Sequence, residues 1–296
     1  MLMITVITPT YNRAHLLKNL YISLQMQTVF DFEWIVIDDG SFDNTSEQIE
    51  LWIASEKKFK IKLIKKENGG KHRAINQGVK LAEGEFVFIV DSDDVITPDA
   101  IEIISKWIED IKDNPKIVAV SGLRGNKNNE QIGDFPKGKD FVDVKNSERC
   151  INHLLGDKAE VYKKEILLEY PFPEFEGELF ITEDVVWNLI SLKGYVVRWY
   201  NKVIYKGNYL KNGLTDRSLE LRKNNFNGYT YSVKQNFVAL PFPYNFVALS
   251  VYKDLAKEKG FGLKKLKKEF NMSNKDVFLL IIISFLRKVR SRCGSN

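Results

Sequence analysis

The sequence has few of the residues that build disulfide frameworks or zinc clusters. It contains two cysteines, Cys150 and Cys293, and three histidines among 296 residues. Cysteines so far apart suggest neither a disulfide framework nor a zinc site, and they favour a reducing, cytoplasmic setting. The N-terminus also lacks the basic region of a signal peptide, and the apolar run at residues 4–8 is too short to serve as its core. We expect that run to form a strand instead.

A glycine-rich G-x-G-x-x-G turn is missing after the first predicted strand, so the fingerprint of a classical dinucleotide site is absent. Short apolar runs instead alternate with amphipathic segments. Strands are predicted at residues 4–8, 34–37, 61–64, 86–91 and 117–120, with helices at 14–27, 45–55, 71–82 and 98–111. This alternation predicts βαβ units around a parallel sheet. Pro9 is expected to end the first strand, because proline cannot continue a central strand.

Beyond residue 125 the pattern is less regular. We expect a mobile loop at 124–139, β structure near 142–144 and 156–162, a helix start near 182–190, an edge strand at 195–205, and helices from 216 onward. The predicted domains are therefore a catalytic domain at 1–215 and a helical C-terminal region at 216–296. The first divides into a nucleotide-binding half, 1–125, and an acceptor-side half, 126–215.

The predicted strand at 86–91 leads directly into a cluster of acids. Its apolar residues are followed by Asp91, Ser92, Asp93 and Asp94. Three carboxylates within four residues repel one another unless a cation lies between them. The carboxyl ends of parallel strands are also where open α/β sheets bind ligands. The alternative is a solvated acidic turn in which Asp94 or Thr97 caps the next helix.

Three further loops are expected at the same edge of the sheet. They contain Pro9 and Tyr11, then Asp38 and Asp39, and then Gly69 and Gly70 followed by Lys71 and Arg73. Paired glycines let backbone N–H groups approach an anion, and the two bases add positive charge. Singly, each loop has a simpler explanation as a packed aromatic residue, a helix cap or a bare turn. Together they suit a nucleotide diphosphate with Mg²⁺ or Mn²⁺ bound to the acids.

The combined motifs resemble those of the family 2 glycosyltransferases of the GT-A fold. They are TPTYNR at 8–13, DDGS at 38–41, GGKHRAIN at 69–76, and the segment 84–94. The resemblance is specific over about 3–125 and extends to about 215. It implies a Rossmann-like mixed α/β sheet, mostly parallel, with helices on both faces. It also implies an inverting, metal-dependent enzyme that transfers a sugar from a nucleotide-diphosphate sugar, UDP-linked by default, to a glycan or lipid-linked hydroxyl in cell-surface polysaccharide synthesis.

The resemblance assigns nucleotide-binding and metal-binding roles to individual residues. The loop from Pro9 to Tyr11 would flank the nucleobase, and Asp39, with Asp38 beside it, would meet the polar edge of the base. Lys71 and Arg73 would lie near the diphosphate or ribose, and Arg13 and Gly70 are further nucleotide-binding candidates. Asp91, Ser92 and Asp93 match the family's D-x-D motif. Asp93 would bind Mn²⁺ or Mg²⁺, and Asp91 would bind the ribose or a metal-bound water.

The resemblance also places the catalytic base downstream. Glu183 and Asp184 match an acidic pair that the family has at the start of a helix. An inverting displacement needs a base that deprotonates the acceptor hydroxyl on the side opposite the leaving group. Asp184 is the candidate general base, and a helix N-terminus would stabilise its ionised form. Simple compensation of the helix dipole is the alternative.

One departure from the family concerns histidine. Many of its enzymes add a late histidine as a metal ligand, whereas this sequence has only His15, His72 and His153. Metal binding would then rest on Asp93 with diphosphate oxygens and water, or a carboxylate or amide near Asn208 would substitute. For His153, a place on the surface competes with a place near a predicted acceptor loop at Gly156 and Asp157.

The positive charge of the chain lies in its tail. Twelve Lys/Arg and four Asp/Glu follow residue 252, a balance of +8, so residues 1–252 carry −3 of the total +5. An apolar run at 277–286 lies among these bases, and it is half the length of about 20 residues that a spanning helix needs. We expect peripheral contact with the inner, anionic face of the cell membrane through residues 264–292. Packing on the catalytic domain or on a dimer partner is the alternative.

Two other functions compete with sugar transfer. An apolar strand ending in D-x-D also occurs in aspartyl-nucleophile phosphatases, but there it is normally the first strand of the domain. The basic composition, with a pI near 8.9, would also suit a non-enzymatic membrane adaptor. A nucleic-acid partner is not expected, because the bases lie in the tail and the predicted cleft is acidic.

Overall fold

The computed structural model describes residues 3–128, 130–207 and 216–293. Its centre is a mixed sheet with helices on both faces. The strands are β1 (Ile4–Thr10), β2 (Phe32–Asp38), β3 (Lys60–Lys65), β4 (Phe86–Ile89), β5 (Val95–Ile96), β6 (Ile117–Gly125), β7 (Phe141–Val144), β8 (Lys158–Lys163) and β9 (Val196–Lys206). Their order across the sheet is β3-β2-β1-β4-β8-β6-β9-β5, and β7 pairs with β9 outside this path.

The N-terminal half of the sheet is parallel, as the alternating pattern predicts. β1 pairs in parallel with β2 and β4, and β2 pairs in parallel with β3. Side chains on the two faces of one strand enter separate hydrophobic clusters: Val6 packs in one and Ile7 in the other. Both faces of β1 are therefore buried, which is why its sequence is a continuous apolar run.

Helices cover both faces of this sheet. They are α1 (Ala14–Gln25), α2 (Thr45–Ser55), α3 (Lys71–Leu81), α4 (Ala100–Ile111), α5 (Lys164–Glu169) and α6 (Asp184–Leu192), with a 3₁₀ helix at Asn146–Ile151. Residues of α1, α2 and α4 pack in one hydrophobic cluster, and residues of α3, α5 and α6 pack in the other. The predicted two-sided α/β layer is confirmed.

Pro9 does not end the first strand, contrary to the prediction. β1 continues to Thr10, and Pro9 lies opposite Ile37. The Ile7 carbonyl accepts the Val90 N–H on the β4 side, whereas the Thr10 carbonyl accepts the Asp39 N–H on the β2 side. Pro9 shares the orientation of Ile7, so its missing N–H faces the side where β4 has already ended. The β1–β4 ladder therefore stops at the Val90 N–H, while β1 continues to pair with β2 as far as Thr10.

The strand that leads into the acids is also shorter than predicted. β4 ends at Ile89, so Asp91 lies in the following turn and not in the strand. A two-residue strand, β5, then pairs with the end of β9. The sequence analysis missed this strand because it is held by a partner more than a hundred residues away.

The C-terminal half of the sheet is built by long-range reversals. β8 runs antiparallel to both β4 and β6 and separates them. β9 was predicted to be an edge strand, and that prediction is wrong. It pairs with β6 on one side and with β7 and β5 on the other.

Five helices follow the sheet: α7 (Ser218–Asn224), α8 (Phe226–Ala239), α9 (Tyr244–Glu258), α10 (Leu263–Glu269) and α11 (Asn274–Cys293). They have a hydrophobic cluster of their own, which includes Tyr252 of α9, Leu266 of α10 and Leu280 of α11. Within the described residues, no helix has the length and apolar character needed to cross a membrane.

Candidate active site

A cleft of about 510 Å³ opens at the edge where the parallel strands end. The turn after β4 and the first residues of α3 contribute Asp91 and Lys71 to its lining, and the start of α6 contributes Glu183 and Asp184. Arg222 of α7 lines the same cleft. The predicted regions 1–125, 126–215 and 216–296 therefore all contribute residues to one cavity.

The acids of the predicted D-x-D motif lie close together. Carboxylate oxygens of Asp91, Asp93 and Asp94 all fall within 4.8 Å of one another. Arg13 from the loop after β1 contacts Asp93, with 2.7 Å between Nη1 and Oδ1. Closely spaced carboxylate oxygens are the ligands that Mg²⁺ and Mn²⁺ prefer, so this donor set fits such an ion. Ser92, between the acids, is buried.

Asp94, which the resemblance left without a role, anchors the acidic turn. It is buried, and its carboxylate contacts Arg124 of β6 and accepts a 2.8 Å hydrogen bond from the hydroxyl of Tyr205. That hydroxyl also accepts the Asp91 N–H at 3.1 Å. Burial raises the pKa of Asp94 to about 7, although Arg124 opposes the shift. Tyr205 thus fixes the backbone of the D-x-D turn to the end of β9.

Lys71 contacts both the acidic turn after β4 and the acidic pair at the start of α6. Its ammonium lies 2.6 Å from Asp91 Oδ1 and 2.6 Å from Glu183 Oε1. Burial by itself lowers the pKa of Lys71, but the two carboxylates raise it well above its ordinary range. Burial likewise opposes ionisation of Asp91, and Lys71 overcomes it, so the pKa of Asp91 is lowered. Lys71 therefore holds the acidic turn and the start of α6 together as a charged bridge.

The aspartates at the end of β2 both have partners within the chain. Asp38 is buried and accepts hydrogen bonds from the Ser41 N–H at 2.9 Å and the Ser46 hydroxyl at 2.5 Å. These contacts fix the turn that leads into α2. The prediction that Asp38 lies beside the nucleobase stays a prediction.

Asp39 occupies the anion position expected at Gly69 and Gly70, here called the glycine corner. Its carboxylate accepts the N–H groups of Gly69 and Gly70 at 3.0 and 2.7 Å, and Lys66 Nζ lies 2.5 Å away. The backbone N–H groups that the sequence suggested for a phosphate therefore bind a carboxylate of the same chain. Asp39 is buried. Its role at the base edge is not tested by these contacts.

The aromatic loop after β1 is open to solvent. Tyr11 is 40% exposed, and its ring meets Phe42 edge-on at 5.5 Å between centroids. Asn12 adopts a left-handed backbone conformation and exchanges hydrogen bonds with residues 41 and 42. The loop is thus tied to the turn after β2, and Tyr11 keeps an accessible face for a stacked ring.

Arg73 makes contacts that differ from its predicted place beside the diphosphate. Its guanidinium contacts Glu174 and donates to the carbonyls of Gly69, Phe175 and Glu178. These contacts hold the loop that precedes α6 against α3. They give Arg73 a structural role, and its predicted role at the diphosphate stays a prediction.

The predicted acidic pair lies at the N-terminus of α6, as the sequence indicates. Glu183 occupies the N-cap position and Asp184 is the first helical residue. Asp184 Oδ2 accepts a 3.0 Å hydrogen bond from the side-chain amide of Asn236. Asp184 Oδ1 is buried and has no hydrogen-bond partner among the residues that the structure describes.

Several contributions to the cleft were not foreseen. The lining includes Arg124 of β6, Arg149 of the 3₁₀ helix, Lys158 of β8 and Tyr205 of β9. Their positions depend on how β6, β8 and β9 pair with one another, for which the sequence carries no local signal. Asp157 of the predicted acceptor loop does line the cleft, whereas His153 is exposed. Asn208, suggested as a substitute metal ligand, lies outside the described residues.

Comparison with known proteins identifies the family. The model of glycosyl transferase family 2 matches residues 5–168, which is more than half of the chain. This chain is a family 2 glycosyltransferase. The match spans the acidic turn after β4 and the glycine corner, so the resemblance found in the motifs is confirmed.

Curated relatives include glycosyltransferases of two bacteria. Glycosyltransferase GlyG of Streptococcus pneumoniae is 30% identical over 161 residues, covering 52% of this chain and 51% of GlyG. The poly(ribitol-phosphate) beta-N-acetylglucosaminyltransferase TarS of Staphylococcus aureus is 30% identical over 200 residues, covering 66% of this chain and 33% of TarS. The chain therefore spans about half or less of the length of these relatives.

Solved structures confirm the GT-A type fold. Residues 1–349 of TarS with UDP-GlcNAc align with a TM-score of 0.63 at 18% identity, covering 95% of this chain and 79% of the other. The mannosyltransferase PcManGT of Pyrobaculum calidifontis, with GDP-Man and Mn²⁺, aligns with a TM-score of 0.53 at 20% identity, covering 96% and 87%. At these identities the likeness concerns the fold alone.

Proposed function

We propose that this glycosyltransferase is an inverting, metal-dependent enzyme that transfers a sugar from a nucleotide-diphosphate sugar, with UDP as the expected carrier. The observation that carries the proposal is that one cleft is lined by both Asp91 of the D-x-D turn and Asp184 of α6. One acid belongs to a cluster suited to a cation, and the other is separate from it. An inverting displacement needs these two functions in one cavity.

The donor would bind at the ends of β1, β2 and β4. Tyr11 offers an accessible ring for the nucleobase, and Asp93 with Asp91 would hold Mn²⁺ or Mg²⁺, with Asp94 beside them. When bound, that ion neutralises charge on the departing diphosphate. Arg13 and Lys71 already contact these acids and would exchange carboxylate contacts for diphosphate contacts. The metal complex of PcManGT and the UDP-GlcNAc complex of TarS support this arrangement.

Asp184 would act as the general base. It takes the proton of the acceptor hydroxyl as the acceptor oxygen bonds to the anomeric carbon. The bond from that carbon to the diphosphate breaks at the same time, and the nucleoside diphosphate leaves with the electron pair. Glu183, bridged to Lys71, would keep the start of α6 beside the donor site.

The acceptor would be a hydroxyl of a glycan or of a lipid-linked glycan in surface-polysaccharide synthesis. The name of TarS, a poly(ribitol-phosphate) beta-N-acetylglucosaminyltransferase, supports a polymer acceptor. Residues 1–125 would serve as the nucleotide-binding half, 126–215 as the acceptor-side half, and 216–296 as a helical region that reaches the inner face of the cell membrane. The outer face of α11 supports membrane contact, because it exposes Phe278, Ile281 and Phe285.

A panel of sugar nucleotides tests the reaction class. The full chain is incubated with each donor, with and without Mn²⁺, and both nucleoside diphosphate release and the thermal shift are measured. We expect one donor class to stabilise the protein in a manner that requires Mn²⁺, and Asp93→Ala to remove that shift. Asp184→Asn should keep the shift and reduce release by about 100-fold or more, because a positioned base contributes 10²–10⁴-fold.

Asp140→Asn is the matched control, since Asp140 is exposed and does not line the cleft. It should behave as the unaltered chain. An active Asp184→Asn variant would refute the base assignment. Phosphate release from small phosphomonoesters without any sugar nucleotide would instead favour the phosphatase, and unaltered function in both the Asp93 and Asp184 variants would favour the adaptor.

A further inference from the structure

A row of amide side chains, two of them buried and the third half-buried, ends on the candidate base. The Asn146 side-chain amide donates to Asn188 Oδ1 at 2.9 Å, and Asn188 donates to Asn236 Oδ1 at 2.8 Å. Asn236 then donates to Asp184 Oδ2 at 3.0 Å. Three asparagines from the 3₁₀ helix, α6 and α8 thus form one continuous hydrogen-bonded row. Such a row in a buried setting is costly unless each member is satisfied.

The direction of this row follows from the chemistry of its last member. An ionised carboxylate only accepts hydrogen bonds, so Asn236 must turn its NH₂ group toward Asp184. The Asn236 carbonyl oxygen then faces Asn188 and accepts a hydrogen bond from the Asn188 NH₂ group. For the same reason the Asn188 carbonyl oxygen faces Asn146 and accepts a hydrogen bond from its NH₂ group. The row therefore ends with the Asn236 NH₂ group directed at one carboxylate oxygen of Asp184. It also occupies Oδ2 and leaves Oδ1 as the oxygen without a partner in the described structure.

Helix α8, which carries Asn236, also holds the segment that leads to Asp184. Asn225, at the N-cap of α8, accepts the N–H groups of Leu179 and Phe180 at 2.8 and 3.1 Å. In the other direction, the Glu178 carboxylate accepts two N–H groups from the first turn of α8, at 2.7 Å each. The N-terminus of α8 and its later residue Asn236 therefore fix the approach to α6 at two separate points.

We propose that Asn236 is a positioning residue for the catalytic base, and that α8 makes the C-terminal helical region a structural part of the active site. This inference rests on the proposed role of Asp184. Asn236 acts by holding one carboxylate oxygen, so that the other is presented to the acceptor hydroxyl in a fixed orientation. The predicted domain boundary at residue 215 would then separate the base from a group that orients it.

Kinetics of the full chain test this proposal, with the donor and acceptor that the panel identifies. Asn236→Ala removes the amide that donates the hydrogen bond to Asp184. Asn236→Asp keeps the shape of the side chain but replaces this amide with a second carboxylate. We expect kcat to fall about 10- to 100-fold in each, the loss expected for a hydrogen bond to a charged group. The KM for the sugar nucleotide should stay within about twofold, because the D-x-D turn is untouched.

The row predicts a graded series. Asn188→Ala leaves Asn236 in place but removes the group that orients it, so kcat should fall by a smaller factor of about 3 to 10. Gln235→Ala is the matched control, because it removes an amide from the position of α8 next to Asn236. The Gln235 side chain makes no hydrogen bond within the described residues. The kcat of Gln235→Ala should equal that of the unaltered chain. Circular dichroism and thermal unfolding of every variant verify that each is folded.

The outcomes separate this inference from the proposed function. If Asp184→Asn is inactive while the folded Asn236 variants keep the unaltered kcat, the positioning role is wrong and the base assignment stands. Equal losses in Gln235→Ala and Asn236→Ala would also overturn it, since a general disturbance of α8 would then explain both. If Asp184→Asn remains active, or the unaltered chain turns over no donor, both proposals fall.

Discussion

At the scale of single residues, the acids of the site each face a base or donor of the same chain. Asp93 faces Arg13, Asp91 faces Lys71, and Asp39 faces Lys66 and two backbone N–H groups. Without these basic partners, the closely spaced carboxylates would repel one another. Internal cations keep the strand ends compact, and a charged donor can take over the same bases with little rearrangement of the backbone.

His72 is a buried group that the proposed chemistry does not use. It is 4% exposed, and its Nδ1 has no partner among the described residues. Burial, aided by the charge of Arg73, lowers the pKa of His72 to about 4 from an ordinary value of 6.5. The unfolded chain therefore binds a proton that the folded chain refuses between these two pH values.

We expect the free energy of unfolding to fall by up to about 3 kcal/mol as pH drops from 6.5 to 4, over and above the contributions of other groups. His72→Phe should remove this component, which urea denaturation at several pH values measures. His15→Phe is the control, because His15 is exposed. A His72→Phe chain with the same pH slope as the unaltered protein would contradict the assignment.

At the scale of elements, the start of α3 lies unusually close to the segment before α6. Gly70 has φ of +92°, and a Cβ atom there would lie 1.9 Å from the Leu179 carbonyl oxygen. Gly177 also has a positive φ, +73°, but a Cβ atom there would meet nothing within 4 Å. The two glycines therefore separate the cost of a left-handed backbone from the cost of a close contact.

Gly70→Ala should destabilise the protein by about 3 kcal/mol or more, because backbone strain and a backbone clash add. Gly177→Ala should cost only about 1 kcal/mol, from strain alone. Chemical denaturation of the two variants makes the comparison. Equal losses would show that the approach of α3 to this segment does not require glycine.

The parallel half of the fold could be predicted from the sequence because its signals are local. Apolar runs such as residues 34–37, the helix at 45–55 and the glycines at 69–70 each fall within a short window. The strands of the C-terminal half were expected near 142–144, 156–162 and 195–205, but their order and pairing carry no such signal. β8 and β9 are placed by partners distant in sequence, so β8 was not expected between β4 and β6, and β9 was mistaken for an edge.

The same limit applies to the site. The acids at 91–94 and the pair at 183–184 were found from residue types that follow predicted elements. Tyr205 and Asn236 were missed, because a tyrosine in a strand and an asparagine in a helix carry no sign of their partners. Asp39 was expected to bind a ligand, but its contact with the glycine corner depends on the pairing of β2 with β3, which brings residue 39 beside 69 and 70.

At the scale of the whole molecule, α11 has two unlike faces. Leu280 and Ser284 are buried against the other C-terminal helices, and Arg287 contacts Asp254 of α9. The opposite face exposes a row of large apolar side chains: Phe278, Ile281, Ile282, Phe285, Leu286 and Val289. Exposed lysines of α10, with its sequence LKKLKKE, lie nearby in the chain. An apolar row together with bases suits the surface of an anionic membrane.

The double variant Phe278→Glu/Phe285→Glu should lose most of its partition onto phosphatidylserine vesicles, as measured by co-sedimentation. Both side chains are about two-thirds exposed, at 65% and 66%, so the melting temperature should change little. Leu51→Glu on α2, where the leucine is 70% exposed, is the matched control and should bind as the unaltered chain does. Undiminished binding by the double variant would refute membrane contact through α11, and loss of a dimer in its place would identify a second copy as the partner.

The position of β8 has a consequence for how the protein folds as it is synthesised. β4 pairs with β1 on one edge, but its other edge is completed only by residues 161–163 of β8. At the usual rate of about 5–20 residues per second, the ribosome needs roughly 4–15 s to synthesise the intervening chain. Through that interval the centre of the nascent sheet presents an unpaired apolar strand, the kind of edge that other chains can join. We therefore expect the free edge of β4 to be open to pairing with other chains until β8 emerges.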